Sequence, residues 1–196
     1  MPKVRGIERF ADAMSSCKGG YVLIGGGACS VLFDSEGDSF RATEDLDVVV
    51  IVDGEGVEFA TALWAFIKAA GYEIGKVDDG YYEFIRDNAT NVEGITLLDA
   101  LHIIPLKMRA HIDINRSYEE GRRCNNIDRR KHRSDVARLA DLLSPSARLE
   151  LTGQMRVDAE DFLTDFASYV NRQTNRKERV RLQDTLSFLE KVYLQA

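Results

Sequence analysis

The chain has 196 residues, 44% hydrophobic and 30% charged, with a formal net charge of −6. That is room for one good core, or one core plus a smaller lobe. The strongly apolar run Val48 to Val52 is far below the about 20 residues a membrane helix needs, so no membrane partner is expected. The opening MPKVRGIERF turns polar before any apolar run develops, so no export signal is expected and the cytoplasm is the default compartment. Cys17, Cys29 and Cys124 are scattered and form no C-x-x-C pair, which supports neither a zinc site nor a disulfide framework.

In chain order, Ile7, Phe10, Ala11 and Met14 recur at helical spacing and predict an opening helix. Tyr21–Ile24 reads as a short buried strand ended by Gly25-Gly26-Gly27, and Ala28–Phe33 as a helix. After the polar loop DSEGD comes a strand at Asp47–Val52, so rich in β-branched residues that cover on both faces is expected. Glu55–Ala70 places Phe59, Leu63, Phe66, Ile67 and Ala70 on one helical face, stopped by Gly71. Tyr72–Val77 and Tyr81–Arg86 flank Asp78-Asp79-Gly80 and read as a hairpin, and Ile95–Leu98 as a further strand.

Beyond Pro105 the pattern turns helical. Leu106, Ala110 and Ile114 mark one helix to about Ser117, and three more are predicted over Asp128–Leu143, Asp158–Gln173 and Val180–Tyr193. Asp158 with Asp161 reads as an acidic helix start. The chain thus divides into an α/β part over 1–103 and a helical part over 104–196. Charge divides similarly. Residues 1–100 hold 8 basic against 18 acidic side chains, and residues 101–196 hold 18 against 14. An acidic half suits a divalent metal and a basic half suits phosphate.

The segment YVLIGGGACSVLFDSEGDSFRATEDLDVVVIV concentrates the chemistry. Glycines let a backbone approach a ligand closely, and a following helix N-terminus attracts phosphate. Asp45 and Asp47, two apart at the entry to a strand, point to the same side, where two carboxylates repel unless a cation lies between them. Mg²⁺ is commonly held by one or two carboxylates together with substrate phosphates. A dinucleotide-binding turn is a rival reading, with Gly25 and Gly27 in frame. It fits poorly, because Ser30 stands where a third glycine belongs and the acidic residues precede the second strand instead of ending it.

Paired glycines, a short helix and then Arg41-x-Thr43-x-Asp45-x-Asp47 resemble the nucleotidyltransferase superfamily with the DNA polymerase beta-like fold. More narrowly, they resemble the AbiEii-type abortive-infection toxin nucleotidyltransferases. The resemblance covers about Tyr21 to Leu143. It extends to Lys107 in IPLKMRAHIDI, matching a lysine on the helix after the core, and to Asp135 in KHRSDVARL, matching a late aspartate.

The resemblance implies an α+β fold: a mixed sheet with helices as catalytic core, followed by a C-terminal helical bundle. It implies Mg²⁺ or Mn²⁺ on Asp45 and Asp47, and a nucleoside triphosphate held by Gly25, Gly26, Gly27, Ser30, Arg41, Thr43 and Lys107. Asp135 would complete the catalytic set with Asp45, Asp47 and Lys107. The implied reaction moves a nucleotide to an acceptor hydroxyl, RNA such as transfer RNA being one candidate, in a toxin or phage-defence setting with a cognate antitoxin protein. The chain departs from the pattern in two ways. Gly27 stands where many relatives have Ser or Thr, and no core-strand carboxylate is evident beyond Glu83, the reserve for Asp135. These departures keep open an alternative, a catalytically inactive nucleotide-binding regulator of the same fold.

Each residue also has a plainer reading. Lys107 could be solvated, Asp135 could pair with Lys131 four residues earlier, Arg41 could pair with Glu44, and Thr43 could order the turn. His102 and His111 read as structural, while His132, inside Arg129-Arg130-Lys131-His132-Arg133, could meet phosphate. With Arg122-Arg123, that run forms one cationic group. Arg172, Arg176, Lys177, Arg179 and Arg181 form a second.

Overall fold

The computed structural model describes residues 7–15, 19–43, 45–51, 57–70, 79–122 and 126–195. It comprises two compact units, Met1–Asp99 and Ala100–Ala196. Among the described residues the first holds a four-stranded mixed sheet with four helices, and the second holds four helices. The class is therefore α+β. The units join where helix α5 begins, so the boundary expected at 103/104 falls inside that helix.

In the first unit, β1 (Tyr21–Ile24) runs antiparallel to β2 (Asp47–Val50) and parallel to β4 (Ile95–Leu98), which pairs with β3 (Ala89–Val92), in the order β2-β1-β4-β3. Helix α1 (Ile7–Ala13) sets Phe10 edge-on to Tyr21 at 4.8 Å and to Phe66 of α3 (Val57–Ala70) at 5.2 Å. Helix α2 (Gly25–Ser35) is buried from Gly26 to Phe33, as a helix apolar on every side must be.

Three expectations are corrected here. The β-branched run of β2 does not mark a strand covered on both faces. Within the described sheet β2 is an edge strand, and Val49 is its one buried residue; β-branching here suits the pleated backbone more than it reports burial. Tyr81–Arg86 is helical, lying within α4 (Asp79–Asp87). Tyr81 and Ile85, one helical turn apart, are buried at 7% and 1% exposure, and that stripe outweighs the strand propensity of Tyr, Phe and Ile. The expected strand at 72–77 lies outside the described residues. The hairpin lies later, at β3–β4, with Glu93 (φ 50°) and Gly94 (φ 85°) both left-handed, as a two-residue type I′ turn demands.

The second unit consists of α5 (Ala100–Glu119), α6 (Asn126–Ala140), α7 (Gly153–Asn171) and α8 (Arg176–Tyr193). Its core is built from Ile104, Met108, Val136, Leu139, Phe162, Phe166, Leu189 and Val192, none above 0% exposure. Helix α5 begins six residues before the expected Leu106 and contains Pro105. Proline has no N–H, so the Leu101 carbonyl loses its usual donor four residues on. The Tyr193 hydroxyl supplies one, donating to that carbonyl at 2.7 Å. Asp158 is not at a helix start: it lies inside α7 at 1% exposure, accepting from Arg109 at 2.9 Å and Gln154 at 2.9 Å. Helix α8 starts at Arg176, where Asn175 accepts from the backbone N–H groups of Lys177 and Glu178. Among the described residues no helix is long and apolar enough to cross a membrane.

Candidate functional site

In the antiparallel register of β1 and β2, Ile24 faces Asp47. The exit of β1 into the glycines therefore meets the entry of β2. Gly25 has φ +67°, in the region that favours glycine. A Cβ built on it would lie 1.8 Å from Oδ2 of Asp47 and 2.7 Å from its Cγ. A Cβ on Gly26 would lie 2.6 Å from the Thr43 hydroxyl oxygen. The Asp47 carboxylate and the Thr43 hydroxyl thus lie directly against the first turn of α2, at positions where any side chain would displace them. Gly27 is different. Its Cβ would meet Leu46 at 3.3 Å and Leu23 at 3.4 Å, so this glycine sits in apolar packing and faces no polar group there.

Helix α2 begins at the glycines themselves, three residues before the expected start at Ala28. Ser30 consequently occupies the second turn, 5% exposed, instead of the opening turn where a phosphate would meet it. Asp45 is exposed, Leu46 is buried at 5% and Asp47 is exposed. That alternation is what two carboxylates on one side of an extended segment produce, with the intervening leucine in the core. Arg41 holds its guanidinium 5.1 Å from the Phe40 ring centroid, while Glu44, its expected alternative partner, lies outside the described residues. Glu83, the reserve carboxylate, is exposed on α4 and not on a core strand.

Among the described residues no group of three or more His, Cys, Asp or Glu side chains is placed to hold a metal ion. Asp45 and Asp47 alone make a two-carboxylate donor set. That set fits Mg²⁺, which takes one or two carboxylates and leaves its other positions to water and substrate phosphate.

Within the second unit, Lys107 of α5 and Asp135 of α6 form an ion pair at 3.0 Å, with side chains 5% and 2% exposed. Sequence reasoning singled out both residues, but the bond spanning 28 positions has no local signal and appears only once α5 and α6 pack. Beside them His132 is half-buried, and its Nδ1 has no hydrogen-bond partner among the described residues. Burial, and then the positive charge of Lys107, push its pKa down to about 4. His132 is therefore neutral at pH 7 and is not the phosphate-binding cation its basic run suggested.

His111, 1% exposed, bonds Asp165 at 2.8 Å and sits edge-on to Phe162. The bond to His111 holds the Asp165 carboxyl below its ordinary range. Arg133 lies 3.5 Å from the Tyr169 ring centroid and 3.8 Å from Asp165, so this member of the basic run is turned into the unit. Sequence reasoning gave no sign of the Arg133–Tyr169 stack, whose two residues lie on different helices.

No family model, curated protein or solved structure matches the chain. The functional reading accordingly rests on the geometry of these residues and on the motif they compose.

Proposed function

We propose that the chain is a metal-dependent nucleotidyltransferase that binds a nucleoside triphosphate at the first turn of α2. The observation that carries this reading is the contact of the Asp47 carboxylate and the Thr43 hydroxyl with Gly25 and Gly26. Backbone that close to a carboxylate, at the positive end of a helix, suits a triphosphate whose charge is shared between amide N–H groups and a cation. Mg²⁺ or Mn²⁺ held by Asp45 and Asp47 would supply charge neutralisation for the phosphates and acidity for the attacking hydroxyl. Gly25 and Gly26 leave space for the Asp47 carboxylate and the Thr43 hydroxyl to lie against the helix start, where the phosphates would meet them, and Arg41 adds a cation to the same loop. In the transfer, an acceptor hydroxyl oxygen bonds to the α-phosphorus, the bond to the β-phosphate oxygen breaks, and pyrophosphate departs. The acceptor class is RNA, with transfer RNA as the first candidate, and the biological setting is a toxin–antitoxin or phage-defence system.

A specific observation favours a second reading, the nucleotide-binding regulator without turnover. Lys107 and Asp135 neutralise one another in a buried pair, which competes with the roles the motif would give them: lysine on the leaving pyrophosphate, aspartate as metal ligand or base. Labelled nucleoside triphosphates, Mg²⁺ or Mn²⁺ and total RNA separate the two. Label entering RNA, and lost in Asp45→Asn and Asp47→Asn, is the result expected of the enzyme. Metal-dependent nucleotide binding without incorporation moves the assignment to the regulator. No nucleotide binding at all refutes both.

A further inference from the structure

The connection between α7 and α8 carries a charge the fold does not use. Over residues 171–181 five side chains are basic (Arg172, Arg176, Lys177, Arg179 and Arg181) and only Glu178 is acidic, in a chain whose net charge is −6. All five basic residues are exposed. Glu178 is committed to Arg181, at 2.9 Å, which leaves the other four cations without an acidic neighbour inside the segment. Three of them, Arg176, Lys177 and Arg179, occupy the first turn of α8. Cations there are opposed by the helix dipole, and acidic residues would be the stabilising choice. Asn175 already caps the turn, so these cations are not needed to satisfy the backbone. The cationic surface also continues sideways. Arg172 is near enough to Arg133 and Asp165 to influence the ionisation of both, and Arg133 is stacked on Tyr169, one helical turn before Arg172. The patch therefore borders the half-buried Arg133–Tyr169 stack.

We propose that this α7–α8 surface is the docking site for the phosphate backbone of an RNA strand. The choice of RNA over another polyanion rests on the nucleotidyl-transfer reading, and the surface itself rests on the charge and exposure above. Long-range attraction would bring the strand to this basic surface of a chain whose net charge is −6.

The test uses the full chain and a fluorescently labelled RNA hairpin with a single-stranded 3′ end, its affinity measured by anisotropy from 50 to 200 mM salt. Each phosphate neutralised on a single strand contributes about −0.7 to the slope of log affinity against log salt. Four contacts, with Arg181 kept on Glu178, predict a loss of affinity of about 50-fold over that range. In the triple variant R176Q/K177Q/R179Q, the one remaining contact predicts about 3-fold. The charge-matched control R9Q/K68Q/K191Q, altered at three exposed cations elsewhere, should keep the wild-type slope. The triple variant should melt no lower than wild type, because neutral side chains replace cations that the dipole opposes.

Equal slopes for wild type, triple variant and control overturn the proposal. So does polyglutamate displacing the RNA at equal charge concentration, which would make an acidic protein the occupant. Failure of the functional reading looks different: nucleoside triphosphate with Mg²⁺ does not bind by calorimetry, yet RNA affinity still falls in the triple variant. In the reverse case, D45N/D47N loses nucleotide binding while its RNA affinity and salt slope stay at wild-type values.

Discussion

Replacing Asp135 by Asn should unfold the second unit far more readily than replacing both members of its ion pair by apolar residues. The carboxylate and the ammonium are 3.0 Å apart with 2% and 5% of their side chains exposed, so neither can turn to water when its partner is removed. Breaking a buried pair on one side costs about 3–5 kcal/mol, because a charge is left in a low-dielectric interior. For a unit the size of Ala100–Ala196, each kcal/mol corresponds to about 4–8 °C, so Asp135→Asn should lower the melting temperature by at least about 12 °C. The double variant K107M/D135L removes both charges at similar volume, and its stability should equal or exceed that of wild type, by up to about 4 kcal/mol. Circular dichroism at 222 nm, weighted towards the long helices α5 to α8, follows the transition. The single tryptophan, Trp64 of α3, gives a separate fluorescence signal from the first unit. A single variant melting within about 3 °C of wild type, or a double variant as damaged as the single one, would refute a desolvated pair. Transfer assayed in the stable double variant then reports on function: its survival excludes Lys107 and Asp135 from the chemistry.

Three further outcomes follow from other contacts. Gly25→Ala introduces a Cβ at the position of the Asp47 carboxylate and a strained φ of +67°, whereas Gly37→Ala has a similar φ of +74° with nothing within 4 Å. Both should lose about 1–2 kcal/mol from backbone strain, but calorimetry should find Mg²⁺–nucleotide binding abolished only in Gly25→Ala. Tyr193→Phe should cost about 1–3 kcal/mol in urea denaturation by orphaning the Leu101 carbonyl. Adding Pro105→Ala, which restores an N–H four residues on, should remove most of that cost; an unchanged penalty would show that the hydroxyl serves something else. His132 has a folded pKa near 4 against an ordinary 6.5, so the unfolded chain takes up its proton first as pH falls. Its contribution is intact above about pH 6.5 and lost towards pH 4, with a slope of at most about 1.4 kcal/mol per pH unit. His132→Gln should flatten urea stability across that window, and a parallel pH profile would count against the assignment.

How much of this was legible depended on how local the cause was. The opening helix, β1 and the polar–apolar alternation at Asp45-Leu46-Asp47 follow from spacing alone, and the structure has them; of the stripe Val180, Leu186, Leu189 and Val192 expected in α8, the last three are buried and Val180 is 54% exposed. Tyr81–Arg86 misled because Tyr, Phe and Ile favour strands while their spacing also suits a helix; only burial at Tyr81 and Ile85 decides. Strand β3 escaped because ATNV is polar and almost wholly exposed, so neither period nor hydropathy marked it. The start of α5 was displaced by reading Pro105 as a break, since the compensating hydroxyl is 92 residues from the carbonyl it serves. The Lys107–Asp135 bond was illegible for the same reason: residue types signalled importance, and only packing could show that the two satisfy each other.

The two groups of proposed site residues therefore stand on different physical footing. In the first unit, the glycines, Thr43 and Asp47 are brought together by backbone geometry. Ile24 is in register with Asp47, and side chains are excluded from Gly25 and Gly26. The Asp47 side chain is exposed and lies against the first turn of α2, the place proposed for a cation with its phosphate. In the second unit, Lys107 and Asp135 already satisfy one another, and recruiting either for substrate would first require giving up a buried ion pair. A direct role for Lys107 would demand compensation of several kcal/mol from the incoming phosphate. Turnover in K107M/D135L at the wild-type rate would place all of the chemistry on the glycine turn and its two aspartates.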